Sequence, residues 1–175
     1  REAFAAAAGA DFIVSSGGVS VGAYDFVKEA LEDLGAETMF WRVAMKPGKP
    51  VVLSRLGSSL CFGLPGNPVS CAVAFHLFVG PAIRKAQGQG GDLFPPAVNA
   101  RLTAPLKADR DRRVYFRGRV VSRNGRLFAT PLSSQGSGSL SSIVGANALL
   151  EVGKGAALEE GEKVRALLIG SVLGE

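Results

Sequence analysis

The chain has 175 residues, room for one large domain or two small ones, and 47% of them are apolar, which excludes a disordered chain. Its formal net charge of +5 comes from Lys and Arg spread along the chain, which suits an anionic ligand and gives no footprint for nucleic acid. Cys61 and Cys71 are too far apart for a close ligand pair and His76 is the only histidine, so no zinc site is legible.

The first residues, 1–8, read as a helix stopped by Gly9. The chain opens inside that helix without an initiator methionine, so it is expected to be part of a longer protein. Residues 11–15 read as a short buried strand. Ser16, Gly17 and Gly18 then begin a glycine-rich turn that runs to Gly22. Residues 24–34 carry apolar side chains at helical spacing, with Gly35 in place to end the helix. Residues 37–44 are strand-like. The stiff loop Lys46-Pro47-Gly48-Lys49-Pro50 follows, then short strands over 51–53 and 60–63 around a turn at Gly57-Ser58. A second stiff loop, Leu64-Pro65-Gly66-Asn67-Pro68, leads into an apolar helix expected to reach about Gln87, with Pro81 as a kink. The alternation of strands and helices predicts an α/β unit with a largely parallel sheet and a site at the strand C-terminal ends.

Residues 88–96 are Gly- and Pro-rich and read as a linker. Composition then changes to short alternating runs over 98–106, 114–122, 126–132, 148–152 and 163–169. Asn124-Gly125 between two of them is a strong hairpin signal. No convincing helix follows residue 98, so a small β-barrel or sandwich is predicted, with 135–142 as a polar loop. The predicted division is residues 1–88 as a partial α/β domain and 95–175 as an all-β domain.

Several residues are candidates for chemistry. The amides of the Ser16–Gly18 turn suit phosphate, yet the turn is neither a G-x-G-x-x-G fingerprint nor a P-loop, and a structural turn explains it equally well. Asp25 opens the next helix, as a Mg²⁺ ligand or simply as an acid favourable to the helix dipole. Lys46 and Lys49 on a Pro-braced loop repel each other unless an anion lies between them; the alternative is a solvated pair. Arg42 is a third cation, or stacks on Trp41. Asn67 and Ser70 offer polar groups at a helix start, or only cap it. Arg112, Arg113, Arg117 and Arg119 cluster, and Arg117 and Arg119 share one strand face. They recognise an oxyanion or form a solvated basic face. His76 reads as a packed core histidine and the cysteines as buried reduced thiols of a cytoplasmic protein. The apolar run 69–83 contains His76 and reads as too short for a bilayer, so no membrane role is expected.

SGGVSVGAYD, RVAMKPGKP, GLPGNPVS, RRVYFRG and QGSGSLSS, in that order, resemble the molybdopterin molybdotransferase family (MoeA proteins and the E domain of gephyrin). The resemblance spans nearly the whole chain. It implies the second half of a molybdopterin-binding α/β domain followed by a small C-terminal β-barrel. The implied activity is insertion of molybdate into adenylylated molybdopterin with release of AMP, assisted by Mg²⁺, in a cytoplasmic homodimer. It assigns Asp25, Lys46 and Lys49 to catalysis, with Asp25 toward the metal. It assigns Ser16, Gly17, Gly18, Pro50, Pro65, Asn67, Pro68, Ser70, Arg117 and Ser137 to substrate binding. The resemblance also implies the alternative of a gephyrin-type scaffold without turnover. Val114 stands where the family usually has an acid, and Arg42 where bacterial members often have lysine. Both anionic reactants need fixed cations. No nucleophilic side chain is required, which matches the lack of a Ser-His-Asp or Cys-His set.

Overall fold

The computed structural model describes residues 1–20, 26–136 and 138–174, without the side chain of Leu173. Helix α1 (Glu2–Ala7) leads through Gly9, at φ +103°, into strand β1 (Phe12–Ser16). Helix α2 (Val27–Glu32) is shorter than the 24–34 expected, and Tyr24 and Asp25 lie outside the described residues. Strand β2 (Glu37–Trp41), the two-residue β3 (Met45–Lys46), β4 (Val52–Leu56) and β5 (Ser59–Leu64) follow.

The first sheet runs β1-β5-β4-β2. Only β1 and β5 are parallel; β5 with β4 and β4 with β2 are antiparallel. The expectation of a largely parallel sheet is therefore corrected. The turn at Gly57-Ser58 joins β4 to β5 directly, and so short a connection makes a hairpin, whereas a parallel crossover needs a dozen residues or more.

Helix α3 (Pro68–Ala74), a π turn (Phe75–Val79) and helix α4 (Gly80–Ala86) form one continuous rod. Pro81 cannot donate to the carbonyl four residues back, and the chain widens just before it: Gly80 N–H reaches Phe75 O, the π spacing. The rod Pro68–Ala86 spans 19 residues, extending the apolar run 69–83 at both ends, and by length and composition alone is long and apolar enough to cross a membrane. In the fold it is a shared pillar. Ala74 and Val79 pack on Val51, Phe62 and Leu64 of the small sheet. Val73 and Leu77 pack on Met45, Tyr115, Leu149 and Leu167 on the opposite side. Leu31 of α2 closes the other face of the sheet with Ile13, Ala36 and Cys61. His76 is half-buried and Cys61 is buried, while Cys71 is only partly covered; both cysteines are free thiols.

The second unit contains β6 (Ala97–Leu102), β7 (Leu106–Lys107), β8 (Arg113–Arg123), β9 (Arg126–Pro131), α5 (Ser141–Val144), β10 (Ala148–Val152), β11 (Ala157–Leu158), β12 (Lys163–Leu168) and β13 (Leu173–Gly174). Strands β10, β12, β6, β9 and β8 pair in sequence, and β10 pairs back to β8, so five strands close a barrel. Inward-facing Ala100, Leu102, Val120, Ala129, Leu150, Val164 and Ala166 fill it. Asn124 (φ +49°) and Gly125 (φ +74°) make the tight β8–β9 turn. The expected polar loop ends in the single turn of α5.

Asn147 helps close the ring. Its side chain accepts from Val120 N at 2.7 Å and donates to Val120 O at 2.8 Å, standing in for a strand residue. One pairing ties the two units together. Lys46 was expected to open a loop after a strand over 37–44; instead Met45 and Lys46 form β3, a parallel partner of β8, with Lys46 opposite Val114. The stiff loop is therefore an extension of the barrel wall.

Candidate oxyanion site

A cavity of about 440 Å³ opens where the stiff loop meets the barrel. Its lining includes Lys46, Pro47, Gly48, Lys49 and Pro50 from the loop, and Ser70 from the first turn of α3. The barrel side contributes Lys107, Asp109, Arg112, Phe116, Arg117 and Gln135. Among the described residues, five cationic side chains and one carboxylate thus line the cavity.

Each position has a local cause. The loop adopts a shape that only glycine accepts at position 48: φ is +103°, and a Cβ there would lie 2.7 Å from Met45 Cε and 3.5 Å from Ser70 O. The Lys46–Pro47 peptide is cis. Lys46 and Lys49 project exposed from either side of the buried Pro47-Gly48 pair. Ser70 is buried at 7% exposure because α3 begins two residues earlier under Asn67 and Pro68.

Arg117 is the most unusual residue of the site, 2% exposed in the middle of β8. Its Nε donates to Ser142 Oγ at 3.2 Å and a terminal nitrogen donates to Gly136 O at 3.3 Å. Both partners are neutral, and among the described residues no carboxylate pairs with it. Burial pulls its pKa below the ordinary arginine value, the mark of a desolvated cation without a counter-ion. Such a charge is costly to hold unless an anion completes it.

Asp109 pairs with Lys46 Nζ at 3.4 Å and with Arg112 through its other oxygen. Burial raises its pKa, but Lys46 and Arg112 outweigh that and hold the carboxyl below its ordinary value. Arg113 turns elsewhere: it pairs with Glu151 at 2.8 Å. Arg119 is exposed and donates to Gly145 O. The four arginines therefore do not converge; Arg112 and Arg117 line the cavity and the other two do not. Arg42 stands over Trp41, guanidinium carbon 3.9 Å from the ring centroid, and is not a lining residue.

The other predicted residues gather at a second place. Gly17 N donates to Leu64 O at 2.9 Å and Ser16 Oγ to Pro65 O at 3.3 Å, where the parallel strands β1 and β5 end. The turn and the Pro65–Pro68 loop touch so closely that a Cβ on Gly66 would sit 3.2 Å from Gly17 Cα. Gly18 O accepts from Val27 N, which ties the turn to α2. Asn67 Oδ1 accepts from Val69 N and Ser70 N, so its side chain is an N-cap. Ser16, Gly17, Gly18, Pro65, Asn67 and Pro68 thus form a loop pair next to α3, and the structure does not place them in the cavity wall. Asp25 and Ser137 lie outside the described residues.

Lys107, Asp109, Arg112, Phe116 and Gln135 complete the cavity; of these only Arg112 was singled out as a candidate in the sequence, while Phe116 and Gln135 lay unassigned in RRVYFRG and QGSGSLSS. Their signal was weak: Lys107, Asp109 and Arg112 sit in a charged stretch that looks like any solvated turn. Among the described residues no group of three or more His, Cys, Asp and Glu is arranged to hold a metal. The single cavity carboxylate is already shared by two cations, so the described residues do not fit a protein-held Mg²⁺. Nor, among the described residues, does any histidine or cysteine line the cavity beside Ser70. The arrangement can bind and neutralise a polyanion; it offers no activated nucleophile.

Comparison with known proteins decides the lineage. Residues 1–85 match the family described as "Probable molybdopterin binding domain", and residues 99–169 match "MoeA C-terminal region (domain IV)". The chain belongs to the MoeA family. It is 44% identical over 143 residues to the molybdenum cofactor synthesis protein cinnamon of Drosophila melanogaster, covering 81% of this chain and 24% of that protein. It is 40% identical over 147 residues to the molybdopterin molybdenumtransferase of Haemophilus influenzae, covering 83% of this chain and 36% of that one. A crystal structure of the molybdopterin biosynthesis MoeA protein from Pyrococcus horikosii superposes with a TM-score of 0.77 at 29% identity. The match covers 97% of this chain and 40% of the Pyrococcus chain. The MoeA relatives are therefore much longer than this chain, which spans about a quarter to two fifths of them.

Proposed function

We propose that this chain supplies the molybdate-receiving part of a molybdopterin molybdenumtransferase. In that reaction molybdate is inserted into adenylylated molybdopterin and AMP is released. The observation that carries the reading is Arg117, a buried guanidinium on neutral acceptors, lining a cavity that Lys46, Lys49 and Ser70 also line. Lysine offers a point charge, arginine a planar fork and the serine a hydroxyl; together they suit a tetrahedral dianion. The sulfurs of the pterin substrate are themselves the incoming ligands, which fits a site without a protein nucleophile.

The reading divides the chain into a molybdopterin-binding part over 1–88, taken as the second half of its domain, and a barrel over 95–175. The Ser16–Gly18 turn and the Pro65–Pro68 loop would hold the pterin side, and Ser137 would join Arg117 at the oxyanion. Asp25 would act toward the nucleotide end. The whole protein would be a cytoplasmic homodimer. The test is molybdate-dependent release of AMP from adenylylated molybdopterin by the full-length protein, with Arg117→Ala beside it. The expected result is turnover that collapses in the variant. Turnover that ignores Arg117 would remove the cavity from the reaction.

A further inference from the structure

Asp109 is the one carboxylate among the described residues that line the cavity, and it spans the two units. One oxygen takes Lys46 Nζ from the loop of the α/β unit, and the other takes Arg112 from the approach to β8. The two contacts differ. Arg112 is three residues away in the chain and in close contact. Lys46 is 63 residues away, its contact is stretched to 3.4 Å, and its side chain is 52% exposed. A long, half-exposed ion pair is weakly held and exchanges partners readily. The other charged groups on the lining, Lys49, Lys107 and Arg117, have no carboxylate there apart from Asp109.

We propose that Asp109 is a built-in counter-anion of the cavity, which holds Lys46 and Arg112 in place and yields Lys46 to an entering oxyanion. It is a positioning residue and touches no reacting atom. The proposal rests on the reading of the cavity as an oxyanion site. Its consequence runs against intuition for a salt-bridged residue. A fixed negative charge beside the ligand opposes binding, and the ligand must take Lys46 from it, so removing that charge tightens binding even though an ion pair is lost.

Calorimetric titration of the purified chain with inorganic phosphate and with molybdate tests this. Four variants accompany the native chain: Asp109→Asn, Lys46→Gln, the double variant, and Asp111→Asn, which removes the same charge from an exposed position off the cavity wall. The expected result is a Kd about threefold to tenfold lower for both anions in Asp109→Asn. Asp111→Asn should stay near the native value, and the gain should shrink when Lys46 is already Gln. Weaker or unchanged binding in Asp109→Asn overturns the proposal. So does an equal gain from Asp111→Asn, an undiminished gain in the double variant, or no binding of either anion to native and Asp109→Asn chains. If phosphate follows the expected pattern and molybdate does not bind, the counter-anion stands and the molybdate reading falls. If molybdate binds and Asp109→Asn brings no gain, the reverse holds. A second measurement leaves the chain unaltered: the side-chain carboxyl ¹³C resonance of Asp109 should move when phosphate is added. A resonance that stays fixed at saturation overturns the proposal independently.

Discussion

Gln135 answers both backbone groups of Arg117. Arg117 N donates to Gln135 Oε1 at 3.0 Å, and Gln135 Nε2 donates to Arg117 O at 2.9 Å and to Leu132 O at 2.7 Å. One side-chain amide thereby pins the segment after β9 onto the middle of β8. The guanidinium of the same arginine then reaches Gly136 O and Ser142 Oγ in that segment. Arg117 O also accepts from Leu132 N at 3.0 Å and keeps that bond when Gln135 is replaced by Ala, but Arg117 N loses its Gln135 acceptor, at about 1–3 kcal/mol. The check is the urea midpoint, which should fall with an unchanged m-value, together with a higher Kd for molybdate. A native midpoint and affinity would show that the segment is held by other contacts.

Arg117 itself should dominate oxyanion binding. A hydrogen bond to a charged group contributes about 1.5–3 kcal/mol, so Arg117→Ala should raise the Kd for molybdate about tenfold to a hundredfold. Lys49→Ala should act in the same direction. Arg123, which stands over the Phe128 ring in the β8–β9 hairpin and is not a cavity residue, should change the Kd little when replaced by Ala. Titrations at several salt concentrations separate the two cases. Equal, small losses from Arg117 and Arg123 would mean a diffuse basic surface.

Gly48 is the hinge of the stiff loop. At φ +103° Ala at this position is strained, and its Cβ would lie 2.7 Å from Met45 Cε, so the flexible end of that methionine must shift. The expected loss of stability is about 1–3 kcal/mol. Because Lys46 and Lys49 flank it, molybdate affinity should drop as well. Thermal unfolding and calorimetry on Gly48→Ala check both effects, and an unchanged melting temperature would contradict the geometry.

His76 gives the fold a pH dependence. Burial first, and then the charge of Arg84, push its pKa below the ordinary histidine value. The unfolded chain therefore takes up the proton at a higher pH than the folded one. The stability present above the unfolded pKa of about 6.5 should be lost progressively as pH falls below it and through the folded value. Urea midpoints between pH 7.5 and about 5 should fall in the native chain and fall less in His76→Gln. Parallel curves for the two would show that carboxylates alone set the slope.

Much of the local structure was legible in the residues. Asn124-Gly125 announced the β8–β9 hairpin, alternation marked β10 over 148–152, and Pro68 marked the start of the long rod, because turn chemistry and side-chain period act over a few residues. A stiff loop with two lysines, a serine at a helix start and an arginine in RRVYFRG were enough to nominate Lys46, Lys49, Ser70 and Arg117 of the cavity residues. Sheet polarity was not legible. Strand-like runs look the same in parallel and antiparallel pairs, and the brevity of the β4–β5 turn outweighed the α/β rhythm. The partners of the site were not legible either. Whether Arg117 is a solvated surface cation or a buried, uncompensated one depends on Gln135 folding the next segment over it. Whether Lys46 opens a free loop or extends the barrel depends on β3 meeting β8, and Asp109 finds Lys46 across 63 residues of chain. Residue type and local pattern determined which groups were available for oxyanion chemistry. Only tertiary structure brought them to one cavity, because burial and ion pairing depend on neighbours distant in sequence.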